Sequence, residues 1–316
     1  MSIIIQKSST IKSSEITPKS IYLDRRRFMQ QAVATSVLLT ADAMLPAWAK
    51  KWPELKHSPY SSSDKLSSFE DITTYNNFYE FGTSKKDPHK NATKFNPRPW
   101  SITVEGECEK PGVFDLEDFI KPAVLEERIY RLRCVEGWSM VIPWVGFSLA
   151  DMLKGFEPTT KAKYVEFTTL LDESRMPGQK RRVLRWPYTE GLRIDEAMNE
   201  LPFMAVGLYG EVLPNQNGAP IRLVVPWKYG YKSIKSIVKI RFTETQPQTT
   251  WNVTAPKEYG FYSNVNTTVD HPRWSQKKER VIGLPFWQAK RDTQIFNGYA
   301  EQVAHLYDGM DLNKYF

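Results

Sequence analysis

Arg131-Leu132-Arg133-Cys134-Val135-Glu136-Gly137-Trp138 places a cysteine directly after an arginine and two residues before an acid. Tyr130, Leu132 and Cys134 alternate with Arg131, Arg133 and Val135, which predicts a strand running into the cysteine. Gly137 breaks the alternation and predicts a turn. A thiol at a strand end beside fixed positive charge suits a reactive thiolate or a metal ligand, because neighbouring arginines favour the ionised sulfur. A lone cysteine can equally be a small buried hydrophobe, so the rest of the chain has to decide.

Trp100–Glu105, Tyr164–Leu170 and Ile237–Phe242 alternate as strands, Phe203–Tyr209 reads as a buried strand, and Ile221–Pro226 as a strand leaving a turn. Short helices are expected after Asp115, a plausible N-cap, after Ser148 with Asp151 three residues on, and over Arg193–Met198. Asn217-Gly218 is the strongest turn signal. Residues 50–70, rich in Ser, Lys and Pro, read as a surface arm. The sum is an α+β fold, mixed and strand-rich, with short helices and long loops.

The chain has 316 residues, 41% of them hydrophobic, enough for a sizeable core. Its formal charge is +7. Residues 1–49 hold six Lys/Arg and three acids, so +3 of that charge sits in the first segment. The mild remaining excess, without a basic helix or an RNA-binding motif, argues against a nucleic-acid partner. Two cysteines, Cys108 and Cys134, exclude a disulfide framework, cysteine-rich iron–sulfur sites and four-cysteine zinc sites. A single disulfide between them, in a non-enzymatic binding module, stays open. Glu107 and Glu109 flank Cys108 and should raise its pKa, which makes it inert. The four histidines are scattered, which argues against a zinc hydrolase.

Asp24-Arg25-Arg26-Arg27-Phe28-Met29 precedes a 14-residue apolar run and Pro46-Ala47-Trp48-Ala49. Charged, apolar and A-x-A parts in that order make a signal peptide over residues 1–49, and the run is too short and too polar to span a bilayer. Paired arginines resemble a twin-arginine export signal. That route carries folded proteins to the periplasm, often with a cofactor already inserted. Residues 50–316 would then form a single mature domain.

Two further stretches carry chemistry. Asn76, Tyr79 and Glu80 could hydrogen-bond a polar heterocycle, or simply belong to a buried aromatic turn. Arg222, Lys228, Lys232 and Lys235 flank an aromatic turn. They are either lysines on a solvated face or an anion site in which Arg222, Lys235 and turn N–H groups around Ser233 cradle a phosphate. Walker glycine spacing is absent.

The stretch at 131–138, Asn217-Gly218-Ala219-Pro220-Ile221-Arg222-Leu223-Val224-Val225-Pro226-Trp227-Lys228-Tyr229-Gly230, and Asn76-Asn77-Phe78-Tyr79-Glu80 together resemble the sulfite oxidase family of molybdenum enzymes. The resemblance implies a sulfite-oxidase-type molybdopterin-binding fold and a Mo-molybdopterin cofactor whose metal takes one protein thiolate, at Cys134. It further implies cofactor contacts at Asn76, Tyr79, Glu80, Thr169, Asn217 and Arg222, with the phosphate end at Ser233, Ile234 and Lys235. A soft thiolate suits a soft metal whose other sulfur ligands come from the pterin. Glu136 is a candidate catalytic group, a neighbour of the ligand or a proton relay; a surface carboxylate paired with Arg133 is the alternative.

Within the family the likeness is to a periplasmic branch that reduces methionine sulfoxide in oxidised proteins. A sulfite dehydrogenase on the same scaffold is the alternative activity. Trp138, Trp227, Tyr229 and Tyr231 offer an aromatic surround suited to a methionine sulfoxide side chain. No residues remain for a haem domain of the kind some relatives carry. The implied electron donor is therefore a separate membrane haem b subunit fed by quinone, with which the chain would form a heterodimer while remaining monomeric when soluble.

Overall fold

In the computed structural model the described residues are Trp52 and 55–316; the signal peptide expected over 1–49 lies outside them. Thirteen strands run in chain order: β1 (Lys56–His57), β2 (Ser101–Gly106), β3 (Gly112–Asp115), β4 (Glu126–Arg133), β5 (Trp138–Ser148), β6 (Tyr164–Thr169), β7 (Thr189–Arg193), β8 (Phe203–Leu208), β9 (Glu211–Val212), β10 (Arg222–Val224), β11 (Ile237–Thr243), β12 (Lys278–Val281) and β13 (Lys290–Asp292). They form two sheets. The five-stranded sheet has the order β3-β2-β11-β6-β7. In the eight-stranded sheet β1-β4-β5-β12-β13 follow one another, and β8 adds to β5 with β9 and β10 on β8. No α-helix among the described residues exceeds six residues. The mixed, strand-rich α+β expectation is borne out.

The alternation read from the sequence is what the sheets use. Ile102 and Val104 of β2 and Val165 and Phe167 of β6 point into the core, with polar neighbours between them. β11 joins that sheet by pairing parallel with β2 and antiparallel with β6. β5 is different. Ten of its eleven residues are buried, so it shows no alternation at all. It is the spine of the larger sheet, paired antiparallel with β4 from Ser139 to Gly146, with β8 beside its second half and β12 beside its start. The buried apolar side chains of both sheets form one contiguous cluster.

Two of the expected helices are capped as anticipated. The Ser148 hydroxyl accepts from Asp151 N–H at 3.2 Å at the start of helix Leu149–Lys154. Asp118 accepts from Asp115 N–H at 3.0 Å at the start of helix Leu116–Ile120. The expected arm is tied down rather than loose. Ser58 and Ser62 donate backbone N–H groups to Glu127 and Ile129 along the edge of β4, and Ser67 donates to Val141 of β5.

Candidate active site

Cys134 is the first residue after β4, in the four-residue loop that turns the chain into β5. Its N–H donates to Trp138 O at 2.8 Å, and Gly137 N–H returns to Cys134 O at 3.0 Å. Gly137 has φ +82°, a conformation that glycine adopts without strain. The strand-then-turn reading of the opening stretch therefore holds.

The sulfur opens into a cavity built mainly by three distant stretches, 72–80, 132–144 and 217–235, with Leu184, Tyr188, Trp251 and Tyr259 completing its wall. Asn76, Tyr79, Glu80, Cys134, Glu136, Asn217, Arg222, Ile234 and Lys235 all line it. Thr169 and Ser233 do not. They stand behind the wall, where Thr169 Oγ1 donates to Lys235 O at 2.7 Å and Ser233 Oγ accepts from Val225 N–H at 3.1 Å. Both shape the 233–235 turn from outside. A wider surface depression lies elsewhere, among Tyr60, Glu126, Arg128, Asp151 and Lys154. It has no thiol, and both its Arg128 and its Lys154 are already paired, with Glu126 and Asp151.

The flanking arginines do not ionise the sulfur, contrary to expectation. Arg131 forms a bidentate contact with Asp64, at 2.7 and 3.1 Å. Arg133 is fully buried and spends its donors on Glu279, Gln276 and the Cys134 carbonyl. Burial, reinforced by Glu136, pushes the Cys134 thiol up to about 12, and the Glu136 N–H, Lys85 and Arg133 oppose this only in part. A free nucleophilic thiolate is not what this pocket stabilises. A thiolate here needs a cation bound directly to the sulfur. Among the described residues no three His, Cys, Asp or Glu side chains cluster to hold a metal, so at Cys134 the protein's contribution is one sulfur.

Glu136 pairs with Lys85 at 2.7 Å, not with Arg133. Its Oε2 also accepts from Trp138 Nε1 at 2.8 Å and Asn77 Nδ2 at 3.2 Å, and lies 3.7 Å from Cys134 Sγ. Burial acts against its ionisation, but Lys85, Trp138 and Asn77 outweigh it and hold the carboxyl below its usual range. Asn77 Nδ2 also reaches Cys134 Sγ at 3.5 Å. Sequence reasoning assigned no role to Asn77 or Lys85. Asn77 stood inside a motif already singled out, whereas nothing local marked Lys85.

Several polar groups at the cavity have no protein partner. Asn76 and Asn217 both donate to the Ile72 carbonyl, at 2.8 and 2.9 Å. That shared acceptor fixes both amides and leaves both Oδ1 atoms buried and unpaired. The indole N–H of Trp144 is likewise unpaired. Buried polar atoms without partners are costly, so three of them on one cavity wall mark where a polar ligand sits.

The charges agree. Of the four basic residues around the aromatic turn, Lys228 is fully buried against Glu196 at 2.6 Å and Lys232 against Glu190 at 2.6 Å. Neither lies on a solvated face, and neither is available to an anion. Arg222 is buried with only the carbonyls of Asn217, Leu223 and Ser233 for partners, stacked over Trp144. Burial pulls it down to about 9. Burial and the nearby Arg222 also lower Lys235, while burial raises Glu80. Two neighbouring cations at the cavity floor against one buried acid leave a place for an anion. The anion reading thus survives at Arg222 and Lys235 alone.

Of the expected aromatic surround, Trp138 and Tyr231 line the cavity with Tyr79, Trp251 and Tyr259. Trp227 and Tyr229 do not. Trp227 is buried with its N–H on Tyr307, and Tyr229 stacks against Arg133. Cys108 is a free, buried thiol whose pKa burial and its flanking acids raise, as anticipated. Cys134 is free as well, so the disulfide reading falls.

One sulfur, unpaired hydrogen-bonding groups for a polar ring system and an anion-ready floor are the donor set of a protein that holds a metal through an organic cofactor. The family model of the oxidoreductase molybdopterin binding domain matches residues 89–251. The catalytic subunit MsrP of the protein-methionine-sulfoxide reductase of Burkholderia mallei is 56% identical over 316 residues, covering 97% of this chain and 96% of that one. Its counterpart in Xanthomonas axonopodis pv. citri is 56% identical over 314 residues, covering 97% and 98%. That of Ralstonia nicotianae is 53% identical over 327 residues, covering 98% and 97%. The chain belongs to the family of these MsrP catalytic subunits.

Proposed function

We propose that this protein is a molybdenum-dependent oxidoreductase that reduces methionine sulfoxide in oxidised proteins to methionine. The likeness to the MsrP subunits over nearly the whole chain carries this reading, and it favours the reductase over a sulfite dehydrogenase. The cavity fits the implied Mo-molybdopterin. Cys134 supplies the thiolate. Asn76, Tyr79, Glu80 and Asn217 face the ring system. Arg222, Lys235 and the backbone at Ile234 receive the phosphate end, while Thr169 and Ser233 brace that turn.

When bound, the cofactor supplies a redox-active metal with an open position for two-electron oxygen-atom transfer. The chain's own residues do the rest. Sulfoxide reduction takes up two electrons and two protons and releases water. Glu136 Oε2 is the carboxylate nearest the sulfur, and with Lys85 Nζ it forms a partly exposed relay along which protons can reach the reacting oxygen. Trp138 and Tyr231 offer apolar faces to the thioether. Leu132, Met140 and Ile142 keep the inner wall dry.

Residues 50–316 form one mature domain in this reading. The protein acts in the periplasm, reached by twin-arginine export, and takes electrons from a membrane haem b subunit. Cys134→Ser tests the core of it. The variant should fold, retain less than about a tenth of the wild-type molybdenum by the loss of the one protein ligand, and reduce oxidised proteins at background rate. Wild-type activity in a folded Cys134→Ser protein would refute the assignment.

A further inference from the structure

The hairpin that closes the eight-stranded sheet carries an aromatic pair that the fold does not use. Phe286 and Trp287 are 83% and 81% exposed, on a short helix between β12 and β13. Ala289 and Ile282, which flank the tip, are buried and anchor it. Among the described residues no other tryptophan is exposed, so solvation of Trp287 is the exception in this chain.

The surroundings of the pair are positive. Residues 277–292 contain five basic side chains and two acids, a net +3. Lys277, Lys278, Arg280 and Lys290 are exposed. Of the acids, Glu279 is buried and already shared between Arg133 at 3.1 Å and Arg291 at 2.6 Å. Only Asp292 is at the surface, and it lies 3.9 Å from Lys278. Adjacent aromatics rimmed by lysine and arginine have the chemistry of a membrane–water interface: rings enter the headgroup layer while the cations meet anionic lipid. A stable protein interface needs about 800 Å² from each partner, more than two side chains provide.

We propose that the Phe286–Trp287 tip and its basic rim dock this protein onto a bilayer surface rich in anionic phospholipid. The strands that carry the tip contact the site. Arg280 N–H donates to Gly137 O at 2.8 Å, in the turn that follows Cys134, and its guanidinium reaches Tyr75 Oη at 3.1 Å. Arg291, Glu279 and Arg133 continue a buried chain of contacts to the Cys134 carbonyl. The hairpin that carries the tip is thus hydrogen-bonded to the loop that holds Cys134. The inference does not depend on the reductase reading.

The test is co-sedimentation of the full mature holoprotein with lipid vesicles. Binding to mixed phosphatidylglycerol–phosphatidylcholine vesicles, little to phosphatidylcholine alone, and release on raising the salt are expected. F286S/W287S should abolish binding, and K278E/K290E should weaken it about tenfold or more. V113S, at an exposed apolar residue elsewhere, should bind as wild type. Turnover with a small soluble electron donor should be unchanged in F286S/W287S, which separates this inference from the enzymatic one. Three results would overturn it: no binding to the mixed vesicles, undiminished binding by F286S/W287S, or binding only when the vesicles carry a membrane protein.

Discussion

Asp64 shows how one carboxylate fixes a segment that has little structure of its own. It takes a bidentate contact from Arg131 on β4 and a second contact, at 3.3 Å, from Arg291 on β13. Burial acts to raise its pKa, but Arg131 and then Arg291 outweigh it, so the carboxyl sits below its usual value. A depressed carboxylate contributes stability that is fully present above the unfolded value, near 3.9, and is lost as the pH falls through the folded one. The arm should therefore loosen only below about pH 4. Limited proteolysis across 55–67 checks this. Wild type should resist cleavage at neutral pH and become sensitive in acid, whereas Asp64→Asn should be sensitive at both. Identical pH profiles for the two proteins would show that the ion pairs do not hold the arm.

At the scale of elements, several strands were legible and the longest was missed. β2, β6, β8, β10 and β11 each match a stretch read as extended, with β2 and β11 running one residue beyond it. β5, the spine, gave no such signal. Burial on both faces removes its alternation, and Pro143 and Gly146 within it are residues that ordinarily argue against a central strand. The structure shows why each is tolerated. Pro143 lies one residue short of the β5–β8 ladder, which begins at Trp144, and its carbonyl still accepts from Tyr209 N–H at 3.0 Å. Gly146 sits where the β5–β8 register shifts, and a Cβ there would run into the Met204 carbonyl oxygen. Gly146→Ala should therefore force β8 away from β5. The expected cost is about 1–3 kcal/mol in chemical denaturation, the usual range for overpacking a close contact. A change within experimental error would mean that β8 can shift freely. β12 and β13 were also missed, because they are short and almost wholly charged, Lys278-Glu279-Arg280 and Lys290-Arg291-Asp292, and so carry no apolar alternation.

At the scale of the whole molecule, the site exists only because distant stretches meet, three of which the sequence marks. Individually each stayed ambiguous: a lone cysteine, a turn rich in amides, a lysine-rich loop. Folding resolves them through long-range partners that no local window contains. Glu190 and Glu196 remove Lys232 and Lys228 from the anion site, while Asp64 and Glu279 remove Arg131 and Arg133 from the sulfur. Left behind are Arg222 and Lys235, two cations that repel each other at the cavity floor with only Glu80 to offset them. A protein assembled this way is completed by its ligand. Lys235→Met should leave the melting temperature of cofactor-free protein within about 2 °C of wild type, since roughly 1 kcal/mol corresponds to a few degrees at this size. The same substitution should lower the pterin retained after gel filtration about tenfold, by loss of one charge-assisted contact to the phosphate end. It should also shrink the gain in melting temperature that loading confers, because that gain tracks affinity. Full retention of the cofactor by Lys235→Met would place the anion elsewhere. Collapse of the cofactor-free variant would mean that Lys235 holds the fold rather than the ligand.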